Sequence, residues 1–355
     1  MADKVDRLSL YQKHLNRVSR SFALSISHLD HPLRKWISLT YLVCRILDTV
    51  EDARWRRLSD QIQKFEEFDG IIAGKISKTQ LADWDKNFPQ DIPQGEKELL
   101  RDSEVIFKDF ESLPEKLKEK VFNLILSMSA GMRYFSSQKS QGALKLSGLR
   151  EVNQYCFFVA GVVGETLVNF LQAVDSELKL SPSLLVKAHH FGLFLQKVNL
   201  LKDQAKDEKE GRFLIPSRKD VLTSLEANLS GAYQYCLAVP PKHKSYRVFC
   251  LWSLFLGLST LPLLRQGLDG EELAEIELKI PRDKAMELFN EIQNHAHDDE
   301  WIKDQFISLT RLAGYELDLS GLGEPEPSEY AKLSGWFRSA YKGVLSEKDL
   351  AHLGV

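Results

Sequence analysis

Two segments of the chain carry carboxylates at a spacing that can serve a metal ion. In WISLTYLVCRILDTVED (Trp36 to Asp52), Asp48 and Asp52 stand four residues apart with Glu51 between them. At about 100° per residue, Tyr41, Arg45, Asp48 and Asp52 fall within about 60° of one another on a helix. In FGLFLQKVNLLKDQAKD (Phe191 to Asp207), Gln196, Asn199, Asp203 and Asp207 share an arc of about 80° by the same geometry. Like charges so placed repel by roughly 0.2–0.5 kcal/mol on an exposed helix, and by more where solvent is excluded. A hard divalent cation removes that repulsion. Magnesium takes one or two carboxylate oxygens and completes its octahedron with water and phosphate oxygens. Either pair alone reads equally well as a solvated helix face. Both pairs end long apolar helices and share their faces with amide or guanidinium groups. Together they point to a clamp on a diphosphate, beside apolar surface suited to a greasy organic tail.

The elements that must hold these faces are helices. Apolar residues recur at three- and four-residue steps through Lys13 to Ile26, Trp36 to Leu47, Leu117 to Met132, Leu184 to Leu201 and Phe249 to Leu261. Alternating β-branched runs bounded by tight turns are hard to find. Phe88 to Gly95, Gly211 to Pro216, Val239 to Pro241 and Gly321 to Pro327 read as interhelical loops, the last detaching a terminal helix from Ser328 to Leu345. No repeat and no biased linker divides the chain, so residues 1–355 are expected to form one all-α domain.

Composition narrows the function classes. Lys and Arg number 47 against 50 Asp and Glu, a net charge of -3, which is no field for nucleic acid. Cys44, Cys156, Cys236 and Cys250 form no C-x-x-C pair, and three lie in apolar stretches, so reduced buried thiols in a cytoplasmic setting are expected. MADKVDRLSL lacks the apolar core of a signal peptide. Phe249 to Leu264 carries no charge but is shorter than the roughly 18–20 residues a bilayer requires, and reads as a helix buried on all sides. His295 and His297 precede an acidic run and read as a solvated helix end, while His189 and His190 read as packing or capping residues. A Gly-rich phosphate cradle, a G-x-S-x-G elbow and an H-E-x-x-H pair are all missing from the sequence.

In order along the chain stand VSRSFALSI (Val18 to Ile26), YLVCRILDTVEDA (Tyr41 to Ala53), YCFFVAGVVGETL (Tyr155 to Leu167), GLFLQKVNLLKDQAKD (Gly192 to Asp207) and GRFLIP (Gly211 to Pro216). With weaker matches at FCLWSLFLGLSTL and LKI, they resemble the squalene/phytoene synthase family over roughly residues 10 to 290, most closely its squalene synthase branch. The resemblance implies an isoprenoid-synthase-type helical bundle around a central cavity. It implies a prenyltransferase that condenses two farnesyl diphosphates head to head, through presqualene diphosphate, to squalene, within sterol or hopanoid biosynthesis.

By that resemblance Asp48, Asp52, Asp203 and Asp207, with Glu51, bind magnesium, and Gln196 and Asn199 line the same rim. Arg20, Ser21, Arg45 and Arg212 contact diphosphate oxygens, a task suited to the planar guanidinium fork. Tyr155 steers the cation or relays a proton, and Phe22, Tyr41, Val159 and Leu193 face the prenyl tails. Asn199, Lys202, Lys279 and Arg282 are the NADPH candidates. Two positions depart from the family pattern: Lys206 replaces an acid before the last aspartate, with Glu208 and Glu210 nearby, and Pro281 interrupts the stretch associated with NADPH. The alternatives are a phytoene or dehydrosqualene synthase needing no reductant, a helical terpene cyclase, and a non-catalytic helical relative. An insoluble product is compatible with peripheral membrane association.

Overall fold

The computed structural model describes residues 7–75, 77–140, 142–265, 280–317 and 319, with the side chains of Arg20 and Lys78 outside that description. The expected helix Ser328 to Leu345, the loop Gly321 to Pro327 and Lys279 lie outside the described residues. Three- and four-residue apolar periodicity dominates the sequence, and the described residues are accordingly all-α apart from two strands of two residues each. They gather into two compact units.

One unit comprises the described residues up to Gln138 together with Asn169–Lys179. It holds α1 (Arg7–Val18), α2 (Arg20–Ser27), α3 (Leu33–Asp52), α4 (Leu58–Ile72), α5 (Lys78–Ala82), α6 (Gln94–Arg101), α7 (Ser103–Glu111) and α8 (Glu115–Ser137). α3 is its axle, packed on α1, α4, α6, α7 and α8. Leu39, Leu42, Val43, Ile46, Leu47 and Val50 of α3 are completely buried. At about 1.5–3 kcal/mol for each large side chain, that stripe fixes the rotation of α3 and leaves its polar face outermost.

The other unit comprises the described residues of Lys139–Val168 and Leu180–Leu333. It holds β1 (Leu144–Lys145), α9 (Leu149–Cys156), a π-helical turn (Phe157–Gly161) and the first turns of α10 (Val162–Val174). There follow α11 (Pro182–Lys209), β2 (Arg212–Phe213), α12 (Arg218–Ala238), α13 (Lys244–Arg265), α14 (Arg282–His295) and α15 (Asp299–Leu312). α11 is central here, packed on α9, the π turn, β2, α12 and α13. It starts where Ser181 accepts from the Leu184 N–H, with Pro182 in the first turn.

The structure refines three readings of the sequence. The apolar period from Lys13 to Ile26 breaks at Ser19, whose backbone is extended (φ -161°, ψ 98°). GRFLIP is not wholly loop, because Arg212 and Phe213 pair in parallel with Leu144 and Lys145. Gln94 and Gly95, read as the end of a loop, open α6. α13 and the combined segment Leu149–Val174 are both long and apolar enough to cross a bilayer by length and composition. In α13, Leu251, Leu254, Phe255, Leu258, Leu261 and Leu264 are fully buried within the unit, while Leu256, Ser259, Pro262 and Leu263 remain partly exposed.

Candidate active site

In the first unit the polar face of α3 carries Tyr41, Arg45, Asp48 and Asp52 as the spacing predicts. Arg45 is the hub. Its guanidinium lies 3.7 Å from Asp48 and donates to Glu96 of α6 at 2.5 Å. Burial works against the Arg45 charge, but Asp48, Tyr41 and Glu96 outweigh it and raise its pKa. Glu96 is itself buried and was not among the residues singled out from the sequence. It stands 51 positions from Arg45, beyond any local pattern. The phenol of Tyr41 is pushed by burial up to about 12, so it stays protonated across the working range. Its ring lies 5.4 Å from that of Phe22, which joins two of the four residues expected to meet a prenyl tail. Ser21 and Asp52 are exposed, and Glu51 is buried behind the face.

In the second unit α11 changes character along its length. Its side chains are mostly buried as far as Leu201; beyond that residue they are half-buried or exposed. Asn199 is exposed, Gln196 half-buried and Leu193 buried. The Asp203 side chain is 46% exposed, whereas that of Asp207 is 16% exposed. Asp207 is covered because the chain doubles back. Gly211, at φ +78°, takes a left-handed turn after the end of α11, and β2 then returns along β1. That turn brings Arg212 Nε to 3.8 Å from Asp207. Arg212 Nη2 donates to the Tyr155 hydroxyl at 2.8 Å. Tyr155, Arg212 and Asp207, spread over more than fifty positions of sequence, thus meet in one chain of polar contacts.

Tyr155 is 1% exposed and sits at the end of α9, where the helix widens into the π turn. Such turns insert one extra residue and shift the register of everything beyond them. Val159, half-buried, belongs to this turn. α11 crosses it at backbone contact. A Cβ on Gly192 would stand 2.3 Å from the Ala160 carbonyl oxygen, and one on Gly164 would stand 2.2 Å from that of Ala188.

Lys202 donates to Asn199 at 3.3 Å and lies 3.4 Å from Asp203, so it sits on the rim of the carboxylate face. Arg282 is exposed at the start of α14. Lys206 points to solvent, and Glu208, about 100° around the helix from Asp207, accepts from Gln204 at 2.9 Å. His190 is buried against Asn228, and His295 stacks on Trp301.

Among the described residues no group of three or more His, Cys, Asp or Glu side chains is placed to hold a metal by itself. The carboxylates come instead in pairs on solvent-reachable helix ends. That donor set suits magnesium, which keeps most of its shell for water and phosphate oxygens.

The sequence matches the squalene/phytoene synthase family over residues 15–225, more than half of the chain. The match takes in the candidate residues from Arg20 to Arg212 and stops short of Lys279 and Arg282. The squalene synthase of Bos taurus is 31% identical over 204 residues, which are 58% of this chain and 45% of that protein. That of Mycosarcoma maydis is 31% identical over 205 residues, 58% of this chain and 34% of its own length. The chain therefore spans between about a third and a half of the length of these curated relatives. Two solved structures of TcSQS, each with a ligand, superpose with TM-scores of 0.69 and 0.70 over 98% of both chains. Their sequence identity is 19%, so the likeness is one of fold.

Proposed function

The chain belongs to the squalene/phytoene synthase family, and from that premise we propose that it is a prenyltransferase joining two farnesyl diphosphates head to head. The first condensation gives presqualene diphosphate and releases one diphosphate and a proton. In the second step the remaining diphosphate leaves, the carbon skeleton rearranges and a hydride completes squalene. The observation that carries this reading is the contact chain Tyr155–Arg212–Asp207, built from two separate family segments and a tight turn.

Magnesium bound by Asp48, Glu51 and Asp52 of α3 and by Asp203 and Asp207 of α11 would neutralise the charge that grows on the departing diphosphate. The chain's own groups do the rest. Arg45 and Arg212 offer guanidinium donors already oriented by Glu96 and Tyr155, so little freedom is lost when a phosphate oxygen arrives. Arg20 and Ser21 are assigned to the same oxygens, and Gln196 and Asn199 to the rim. Phe22 and Tyr41, whose rings lie together in one unit, and Val159 and Leu193 of the other are assigned to the prenyl tails, where apolar groups would keep water from an allylic cation. Tyr155, protected from bulk water, is assigned the steering of that cation or the relay of a proton through its hydroxyl. NADPH would supply the hydride; Asn199, Lys202, Lys279 and Arg282 are assigned to it, of which Lys202 and Arg282 suit its phosphates. We assign the enzyme to the cytoplasm, where peripheral association with a membrane would let it hand on an insoluble product.

Asp48→Asn and Asp203→Asn test the metal clamp. Each is expected to lower turnover of farnesyl diphosphate on the order of 100-fold or more, with far-UV helicity unchanged. Activity surviving in both variants would contradict the assignment.

A further inference from the structure

Lys197 occupies the middle of α11 and is 1% exposed. Its ammonium donates to Asn228 Oδ1 at 2.6 Å, to Ser224 Oγ at 2.7 Å and to the Ser224 carbonyl at 3.2 Å. Three N–H donors meet three acceptors, which is the full complement of a protonated lysine. Those acceptors are fixed in turn. Ser224 Oγ donates to Asn153 Oδ1 at 3.2 Å, and Asn228 Nδ2 lies 2.8 Å from His190 Nδ1. Burial, aided by the Lys197 charge and His189, pulls the His190 pKa down to about 4, so that ring is neutral and its Nδ1 accepts from Asn228.

One buried cation thereby ties together α9, α11 and α12. Its place is telling. Asn153 is two residues before Tyr155, and Lys197 adjoins Gln196 and lies six residues before Asp203. The network therefore joins both functional helices of this unit: α11, which carries Asp203 and Asp207, and α9, which ends beside Tyr155. A methionine or leucine would fill the same space without the cost of desolvating a charge, and buried ions replaced by apolar groups often leave a fold as stable or more so. Stability alone gives no reason to keep a lysine here.

We propose that Lys197 is a positioning residue: its hydrogen bonds to Ser224 and Asn228 set the rotation of α11 and its register with α9, so that Asp203, Asp207 and the Tyr155–Arg212 pair meet a metal-bound diphosphate in the productive orientation. This role rests on the diphosphate-binding function proposed above.

Lys197→Met keeps the length and removes the donors. Two readouts apply to wild type and variant: calorimetric titration of Mn²⁺ in the presence of inorganic diphosphate, and kcat and KM with farnesyl diphosphate. The variant is expected to bind Mn²⁺–diphosphate between about 10- and 100-fold more weakly and to lose kcat by a similar factor, with a KM for the prenyl substrate within about threefold of wild type and far-UV helicity retained. Ser224→Ala, which cuts the link to Asn153 while leaving Lys197 in place, is the milder variant and should move both readouts the same way by about threefold, whether or not Lys197→Met folds. Normal binding and turnover per folded molecule in the variants, beside a wild type that binds, would overturn the role of Lys197 alone. A wild type that fails to bind Mn²⁺–diphosphate would overturn the reading of the site and the positioning role with it.

Discussion

Arg212 is held from two sides, by the Tyr155 hydroxyl and the Asp207 carboxylate, and each hold is separable by substitution. Tyr155→Phe deletes the acceptor while keeping the ring. A hydrogen bond to a charged donor contributes about 1.5–3 kcal/mol to folding, so the variant is expected to melt lower, and kcat to fall about 10- to 100-fold as Arg212 loses its orientation. Steady-state kinetics beside a melting curve distinguishes this from a packing tyrosine, whose loss would show in the melt and not in kcat. His190 offers a second test at this scale. Its folded pKa, about 4, lies below the ordinary 6.5, because burial and then Lys197 and His189 disfavour its charge. Between those values the unfolded chain binds a proton that the folded chain refuses, so this contribution rises with pH through the window and is complete above it. Asp69, pushed by burial up to about 6, acts in the opposite sense, its contribution being lost as pH rises through about 6. The difference between wild type and His190→Gln isolates the histidine. The variant should lose about 2–3 kcal/mol less than wild type on going from pH 6.5 to 4 by denaturant titration. Parallel curves would contradict a buried neutral histidine.

At the level of elements, the acidic helices were legible because their information is local. The four-residue spacing of Asp48 and Asp52, and of Asp203 and Asp207, places each pair on one face whatever lies around it. The break at Ser19 and the π turn at Phe157–Gly161 were not legible. The first is an extended residue with no Gly or Pro beside it to mark it, and the second lies where α11 packs at backbone contact, which no local pattern marks. The small residues of YCFFVAGVVGETL now have a physical reason at two points. Gly164 meets the Ala188 backbone, and Ala160 of the π turn meets Gly192. Gly192→Ala would drive a methyl into a carbonyl oxygen that cannot rotate away. It is expected to cost about 1–3 kcal/mol by denaturant titration and to lower activity as well, because Tyr155 and α11 move apart. An alanine variant with wild-type stability would show that α11 does not lie this close to the turn.

Across the whole molecule, the all-α class and the positions of most helices were readable from periodicity, since apolar steps of three and four residues need no knowledge of the partner surface. Pairings such as Arg45 with Glu96, or Lys197 with Ser224 and Asn228, were not readable, because nothing along the sequence marks which distant side chain will meet a given charge. The expected buried thiols are found: Cys156, Cys236 and Cys250 are buried, Cys44 is half-buried, and none is bonded to another. Burial pushes the Cys156 thiol up to about 12 and raises Cys236 and Cys250 as well. Native protein should therefore protect these three from a thiol reagent, with all four reacting in guanidinium; early labelling of Cys250 would mean that α13 is not packed in its unit. The metal clamp and the reductant are tested together by the product made from farnesyl diphosphate with Mg²⁺, identified by mass spectrometry with and without NADPH and with a chelator. Squalene is expected only when Mg²⁺ and NADPH are both present, and no prenyl condensation with the chelator. A condensation product indifferent to NADPH would contradict the squalene assignment, and one formed in the presence of chelator would contradict the metal clamp itself.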